Sequence, residues 1–312
     1  MADFGTMFGS GGGDTFFGLP ACDDLARLDA HVAVMGAPAA TPYATVGPYC
    51  ADAPAAMRAA VAGYASSLGH HDFDLEGPLL AGGGRARDLG DVPWDAGDAA
   101  GNRERIRDRV AAVLDRGAVP VVMGGDDSVP IPVLEAYAGR GPLTVLQVDA
   151  HIDWRDEVDG ERLGLSSTMR RASEMDHVAG IIQVGARAVG SARPGDLADA
   201  EAWGARIVRA REVHAAGLDP AIAMVPEGGR VFLTIDVDGL DPAEVPAVIG
   251  PSPGGLRFHQ VLELMHGVAA RATIVGADVV ELMPAADVGG RGALAAARLV
   301  ANAVGLAVRQ RL

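Results

Sequence analysis

A series of short apolar runs constrains this chain more than any other feature. They are HVAVMG (31–36), PVVMGG (120–125), LTVLQVDA (143–150), IIQVGA (181–186), RIVRA (206–210), VFLTIDVD (231–238) and TIVGADVVEL (273–282). Most are unbroken Val, Ile and Leu rather than alternating apolar and polar residues. A strand apolar on both faces needs cover on both faces, as in a parallel sheet packed between helices. Stretches of helical spacing fit between the runs: 53–65, 104–117, 256–270 and 293–308. In ERIRDRVAAVLDRG (104–117), Ile106, Val110, Val113 and Leu114 share a face and Gly117 is a stop signal. No internal repeat and no dividing linker is visible. The expectation is an α/β fold with a mostly parallel sheet, one domain over 31–312, preceded by an arm over 1–30.

The arm carries a Gly-Ser-Gly tract that reads as mobile, and Phe16 and Phe17 are expected to dock it on a neighbouring chain. It lacks the basic start and apolar core of a signal peptide. The segment 293–308 is interrupted by Arg298 and Asn302 and reads as too short and too polar to span a membrane. A net charge of −15 argues against the basic face that nucleic acid needs. That charge suits cationic substrates, metal ions and the cytoplasm. All 26 basic residues are Arg. Without Lys there is no Schiff-base chemistry of the pyridoxal phosphate kind and no Walker A phosphate loop. Cys22 and Cys50 lack the spacing of a zinc framework or a disulfide scaffold and read as reduced thiols.

Several runs end in acids. MGGDDSVP (123–130) holds Asp126 and Asp127, DAHIDWRDE (149–157) holds Asp149, His151 and Asp153, TIDVDGLDP (234–242) holds Asp236 and Asp238, and a fourth run ends at Glu281. Open parallel sheets bind ligands beyond the carboxyl ends of their strands, so these ends would meet in space. Asp149, His151 and Asp153 alternate, and so do Asp236 and Asp238; if the strands continue, each set points to one side. Any one of these stretches alone reads as a turn or a helix cap. Together, each just after a buried run, they read as one site. So many carboxylates around one imidazole require cations. Hard oxygen ligands with one nitrogen favour manganese, with magnesium or nickel as alternatives. Two ions ~3.5–4 Å apart can share a hydroxide and deliver it to an electrophilic carbon.

These motifs resemble the ureohydrolase family, which includes arginase, agmatinase, guanidinobutyrase and formiminoglutamase. The family pattern GGDHS, DAHxDxxD and DxDxxDP is met in order by GGDDS, DAHIDWRD and DVDGLDP. VPAVIGPSPGGL (245–256) and GADVVELMPAAD (276–287) resemble two later family segments, so the match spans about 30–310. The resemblance implies a three-layer α/β/α fold, a binuclear manganese centre, hydrolysis of a guanidino or amidine C–N bond, and homotrimers or homohexamers. It makes Asp149 and Asp236 bridging ligands. Asp153 completes the first metal site, and His151 with Asp238 the second. Glu281 meets the substrate's guanidinium, since a carboxylate fork suits a planar cation.

Two departures matter. Asp127 stands where the family has a metal-ligating His. If it ligates, Asp127, Asp149, Asp153, Asp236 and Asp238 carry −5 against +4 from two divalent ions. The added charge weakens the Lewis acidity of the pair, raises the pKa of bound water and favours a hard ion and a cationic substrate. The alternative is that Asp127 turns away and one metal binds tightly. Second, Leu165 in LGLSSTMRR (163–171) occupies the place of a family His that shuttles protons or contacts substrate. A general acid is worth ~10²–10⁴-fold. Without it, the leaving amine takes its proton from water, from an acid such as Asp153, or from another His. His177, His214 and His259 read as surface or structural, and His70 and His71 as loop. Trp154 either walls the pocket or packs in the core. Arg155 either contacts a substrate carboxylate or pairs with Asp156 or Glu157. The reading is a hydrolase of a guanidino compound, agmatine-like or a guanidino acid, releasing urea. The alternatives are an amidine hydrolase with another product, such as formamide, and a non-catalytic subunit partnering an active paralogue in a mixed oligomer.

Overall fold

A computed structural model of the chain describes residues 14–43, 45–190 and 192–312. Eight strands form one parallel sheet: β1 (Val32–Ala37), β2 (Ala86–Asp91), β3 (Val119–Gly124), β4 (Leu143–Val148), β5 (Val178–Ala186), β6 (Arg206–Arg209), β7 (Arg230–Asp236) and β8 (Thr273–Val280). Their spatial order is β2-β1-β3-β8-β7-β4-β5-β6. Every residue of β1, β3 and β4 is buried, as unbroken apolar runs require. One core layer lies between the sheet and the helices Ala53–Val61, Phe258–Arg271 and Arg291–Arg309. The other lies between the opposite face and the helices Ala99–Asp115, Pro130–Glu135 and Thr168–Ser173. This is the expected three-layer α/β/α arrangement.

β2 was not expected. Its sequence ARDLGD is polar, because it is an edge strand whose one strand partner is β1, and it leaves Gly90 and Asp91 exposed. The N-terminal segment also differs from expectation. The Gly-Ser-Gly tract lies outside the described residues. Phe16 and Phe17, however, are buried in the chain's own core, with Phe17 beside the ring of Tyr64. The Phe16 amide donates to Asp88, and Ala21 bridges to β2. Residues 14–30 are therefore docked on their own sheet, because two adjacent aromatics bury more apolar surface there than a polar tract could hold in solvent.

The last helix, Arg291–Arg309, runs 19 residues and is, by length and composition, apolar enough to cross a membrane, which corrects the sequence reading. Its apolar window is 78% buried inside the fold. Arg298 on its surface pairs with Asp72 and Asp74 at 2.9 and 2.6 Å. It is a core helix, apolar nearly all round because it is enclosed.

Candidate metal centre

The strand order explains why the acids meet. β3, β8, β7 and β4 are consecutive in the middle of the sheet, and each ends in one of the acidic motifs. β3 and β4 follow one another in the chain but are separated in the sheet by β8 and β7, so the strand order reverses there and a crevice opens beyond the strand ends. Asp127, Asp149, Asp236, Asp238 and Glu281 are all nearly inaccessible to solvent there. A cavity of about 240 Å³ opens above them, lined by Asp127, His151, Asp153, Asp236, Asp238 and Glu281. Trp154, Arg155 and Leu165 also face it.

Turns rather than strand alternation aim these side chains. β4 stops at Val148, and Asp153 takes a left-handed φ of 48°. β7 stops at Asp236, and Val237–Gly239 form a helical turn in which the Asp238 amide donates to Asp236. Glu281 follows β8 with φ 68°. Left-handed non-Gly residues cost on the order of 1–3 kcal/mol each and persist where surrounding structure over-determines them. Gly239 is required for close approach: a Cβ there would lie 2.8 Å from the Asp149 amide. Gly125 is required likewise, at 1.8 Å from the Ala39 carbonyl oxygen.

Two groups of ligand atoms result, each with its atoms within 4.8 Å of one another. One is Asp149, His151 and Asp238; the other is Asp127, Asp149 and Asp236. Asp149 belongs to both. Asp153 lines the cavity but joins neither group at that spacing; its Oδ2 accepts from Gln147 at 2.8 Å. Asp126, its side chain turned to other work, accepts from Thr41 and Ser128 and so ties the 41–43 segment to the end of β3. Among the acids that line the cavity Asp127 is the exception. It is 2% exposed, and neither carboxylate oxygen has a hydrogen-bond partner, a state it shares with Asp278, buried inside β8. An ionised carboxylate buried this way costs several kcal/mol unless it is neutralised by a proton or a cation. The donor set therefore fits divalent ions: oxygen-rich, one imidazole, and one carboxylate with both oxygens uncommitted.

The electrostatics follow from crowding. Burial, then Asp153 and Asp149, push Asp127 well above the usual carboxylate range. Burial and Asp153 do the same to Asp149, and burial and Asp238 to Asp236. Asp238 goes the other way: burial opposes its charge, but the hydrogen bond and charge of His151 hold it low. His151 Nδ1 lies 3.0 Å from Asp238 and 3.3 Å from Asp149. Burial disfavours its charged form, yet Asp238 lifts the imidazole from the usual 6.5 to about 9. Glu281 is raised to about 8, by burial first and Asp126 second.

Sequence reasoning missed three residues here. The Tyr49 hydroxyl lies 2.8 and 2.7 Å from the two oxygens of Glu281, and the Asp127 amide donates to one of them at 2.9 Å. Nothing in the sequence places Tyr49 there. Gln147 and Gln183 are buried polar residues inside apolar strands, and that mismatch was a readable signal, since a buried amide must find partners. Trp154 lines the cavity, but its ring is 2% exposed and its Nε1 donates to Gln183 at 3.0 Å. Arg155 faces the cavity and reaches the Gly190 carbonyl at 3.4 Å, while Asp156 pairs instead with Arg162 and Arg171. His70 and His71 lie in a loop, as expected.

A three-layer α/β/α sheet with an acid-rich crevice at its central strand ends defines an arginase-like hydrolase. The Arginase family model matches residues 30–305, and the chain belongs to that family. The guanidinobutyrase of Pseudomonas aeruginosa is 33% identical over 219 residues, 68% of each chain. The mitochondrial agmatinase of Gallus gallus is 33% identical over 293 residues, covering 90% of this chain and 82% of that one. A solved structure described as a hypothetical agmatinase from Burkholderia thailandensis superposes with a TM-score of 0.83 at 27% identity, covering 96% of this chain and 92% of the other. The chain is thus an enzyme of the ureohydrolase type, and its family implies a pair of divalent metal ions.

Proposed function

We propose that the chain hydrolyses a small guanidino compound, agmatine-like or a guanidino acid, to urea and an amine, with two divalent ions as cofactor, Mn²⁺ ahead of Ni²⁺ or Mg²⁺. The observation that carries this reading is Asp149 shared between two ligand groups beneath a cavity that also holds the buried Glu281. Asp127, His151, Asp236 and Asp238 complete those groups, and Asp153 on the cavity wall is the further ligand proposed. Bound divalent ions supply an activated water and positive charge at the reacting carbon.

The chain's own residues do the remaining work. Glu281 offers a carboxylate to the substrate's planar cation in a site where burial strengthens the attraction. Tyr49 reaches both oxygens while the Asp127 amide donates to Oε1 alone, so Oε2 has the greater capacity left for that cation. Arg155, also on the cavity wall, suits a carboxylate at the far end of the substrate and ranks guanidino acids first. The names of the guanidinobutyrase and agmatinase relatives support the same substrate class. Leu165 on that wall cannot donate a proton, so Asp153 or solvent serves the leaving amine. That same Leu165 favours a second reading, a subunit that needs an active paralogue.

The test is to purify the chain alone, load it with Mn²⁺ or Ni²⁺, measure bound metal, and assay urea over a panel of guanidino amines and acids. About two ions per chain with urea release supports the proposal, and guanidino acids are expected to react fastest. Bound metal with no urea from any member overturns it. Formamide or another product marks the amidine alternative, and turnover only with a paralogue marks the second reading. Light scattering on the same sample tests the expected homotrimer or homohexamer.

A further inference from the structure

Beneath the ligand groups runs a chain of buried hydrogen bonds that ends on two of the acids. Gln147, on β4 and 0% exposed, places its Nε2 at 2.6 Å from Asp149 Oδ2 and 2.8 Å from Asp153 Oδ2. Its Oε1 accepts from Gln183 Nε2 at 2.6 Å. Gln183, on β5, gives its Nε2 also to the Ile152 carbonyl at 2.8 Å, and its Oε1 accepts from Trp154 Nε1 at 3.0 Å.

We propose that Gln147 is a positioning residue that holds Asp149 and Asp153 together, and that Trp154, acting through Gln183, sets which end of Gln147 faces them. The proposal rests on the reading of Asp149 and Asp153 as metal ligands.

The direction of the relay follows from its two ends. An indole N–H only donates, so Gln183 must present its oxygen to Trp154 and its NH₂ to Gln147 and Ile152. Gln147 must then present its oxygen to Gln183 and its NH₂ to the carboxylates. Reversing either amide sets N–H against N–H at one junction and oxygen against oxygen at another. Amide orientation is ordinarily ambiguous, but here a pure donor closes one end and two acceptors close the other. Burial makes each reversal costly, because an unpaired polar group there finds no water. The two N–H groups of Gln147 match two carboxylates, one each. They offset part of the repulsion between those acids and draw one oxygen of each toward the protein. Trp154, adjacent in sequence to Asp153, thereby acts on the site through a hydrogen bond rather than by contact with substrate.

The relay predicts a specific pattern of coupling. Mn²⁺ binding is measured by calorimetry on the full chain, with the paramagnetic resonance spectrum of the bound ions as a second readout. Gln147→Leu is expected to weaken binding by roughly 10–100-fold, the range for removing a partner of a metal ligand. Trp154→Phe, which keeps a ring but loses the N–H, is expected to weaken it by a smaller factor and to alter the Mn²⁺ spectrum. The decisive measurement is the double variant. With Gln147 already Leu, losing the indole N–H adds nothing, because Trp154 acts only through the amides. If Trp154 contributed by packing alone, the two effects would add. Unchanged affinity in Gln147→Leu, or additivity in the double variant, overturns the relay while leaving the metal reading intact. Failure of the wild-type protein to bind Mn²⁺ overturns both. If Gln147→Leu does not fold, Gln147→Met keeps the volume without the donors and is read the same way.

Discussion

Two buried aspartates on this sheet are handled in opposite ways. Asp88, on edge strand β2, is 1% exposed, and Asp127, past the end of β3, is 2% exposed. Asp88 receives a bidentate guanidinium from Arg58 at 2.8 and 3.0 Å, and further bonds from the Phe16 and Gly90 amides at 2.7 and 2.9 Å. Neither oxygen of Asp127 has a hydrogen-bond partner. Arg155 lines the same cavity and Arg187 donates to the Asp238 carbonyl, yet neither pairs with Asp127, which shares its crevice with Asp149, Asp236 and Glu281. At Asp88 the fold supplies its own cation; at Asp127 it supplies none. The Arg58–Asp88 fork also shows, within the same molecule, how a buried carboxylate takes up a guanidinium.

The contrast can be broken from its strong end first. Arg58→Met strands Asp88 as an uncompensated buried charge and is expected to cost about 3–5 kcal/mol of folding stability. Chemical denaturation of the two proteins measures it, and a loss under about 1 kcal/mol would show that the pair contributes only as a surface pair does.

Asp127→Asn should do the reverse. In a chelator, removing the unpartnered charge is expected to raise stability by about 1–3 kcal/mol, while Mn²⁺ affinity falls. A melting curve with and without metal shows both, and a variant less stable in chelator would contradict the reading of Asp127 as a reserved ligand. Asp127→His, which changes the charge on the metal pair, is expected to shift metal preference and the pH dependence of activity.

The smallest effect lies in pH. His151 is raised from the usual 6.5 to about 9, so its protonated form stabilises the fold fully below 6.5 and that contribution is lost as pH rises through 9. Glu281, raised to about 8, shifts stability in the same direction, as do Asp127 and Asp149. Metal-free protein should therefore lose stability from mildly acidic pH up to about 9. A cation must displace the protons held by His151, Asp127 and Asp149, so Mn²⁺ affinity should instead rise with pH, by about tenfold per unit for each proton displaced, and level off above 9. His151→Asn should flatten that rise; a slope unchanged in the variant would remove His151 from the ligand set.

Much of this was legible in the chain itself. Runs such as VVMG and VFLTI could only be buried strands, and acids placed just past them could only crowd together or bind something. β2 was hidden because an edge strand need not be apolar. The alternation of Asp149, His151 and Asp153 suggested one continuing strand, whereas the backbone leaves β4 at Val148 and bends left-handed at Asp153. The residue types pointed to one crevice, and the residues meet in one, although the local geometry differs.

By itself the sequence determined the kind of sheet, the ends where chemistry could sit and the hard-ligand character of the site, because these depend on residue type and on periodicity along the chain. Only the tertiary structure decided that β3, β8, β7 and β4 lie side by side, that Asp149 serves two groups while Asp127 has no partner, and that Tyr49 meets Glu281 across 232 positions. Those are pairings between distant segments. They are fixed by how layers pack and by where each buried polar group finds a partner, and no local pattern encodes them.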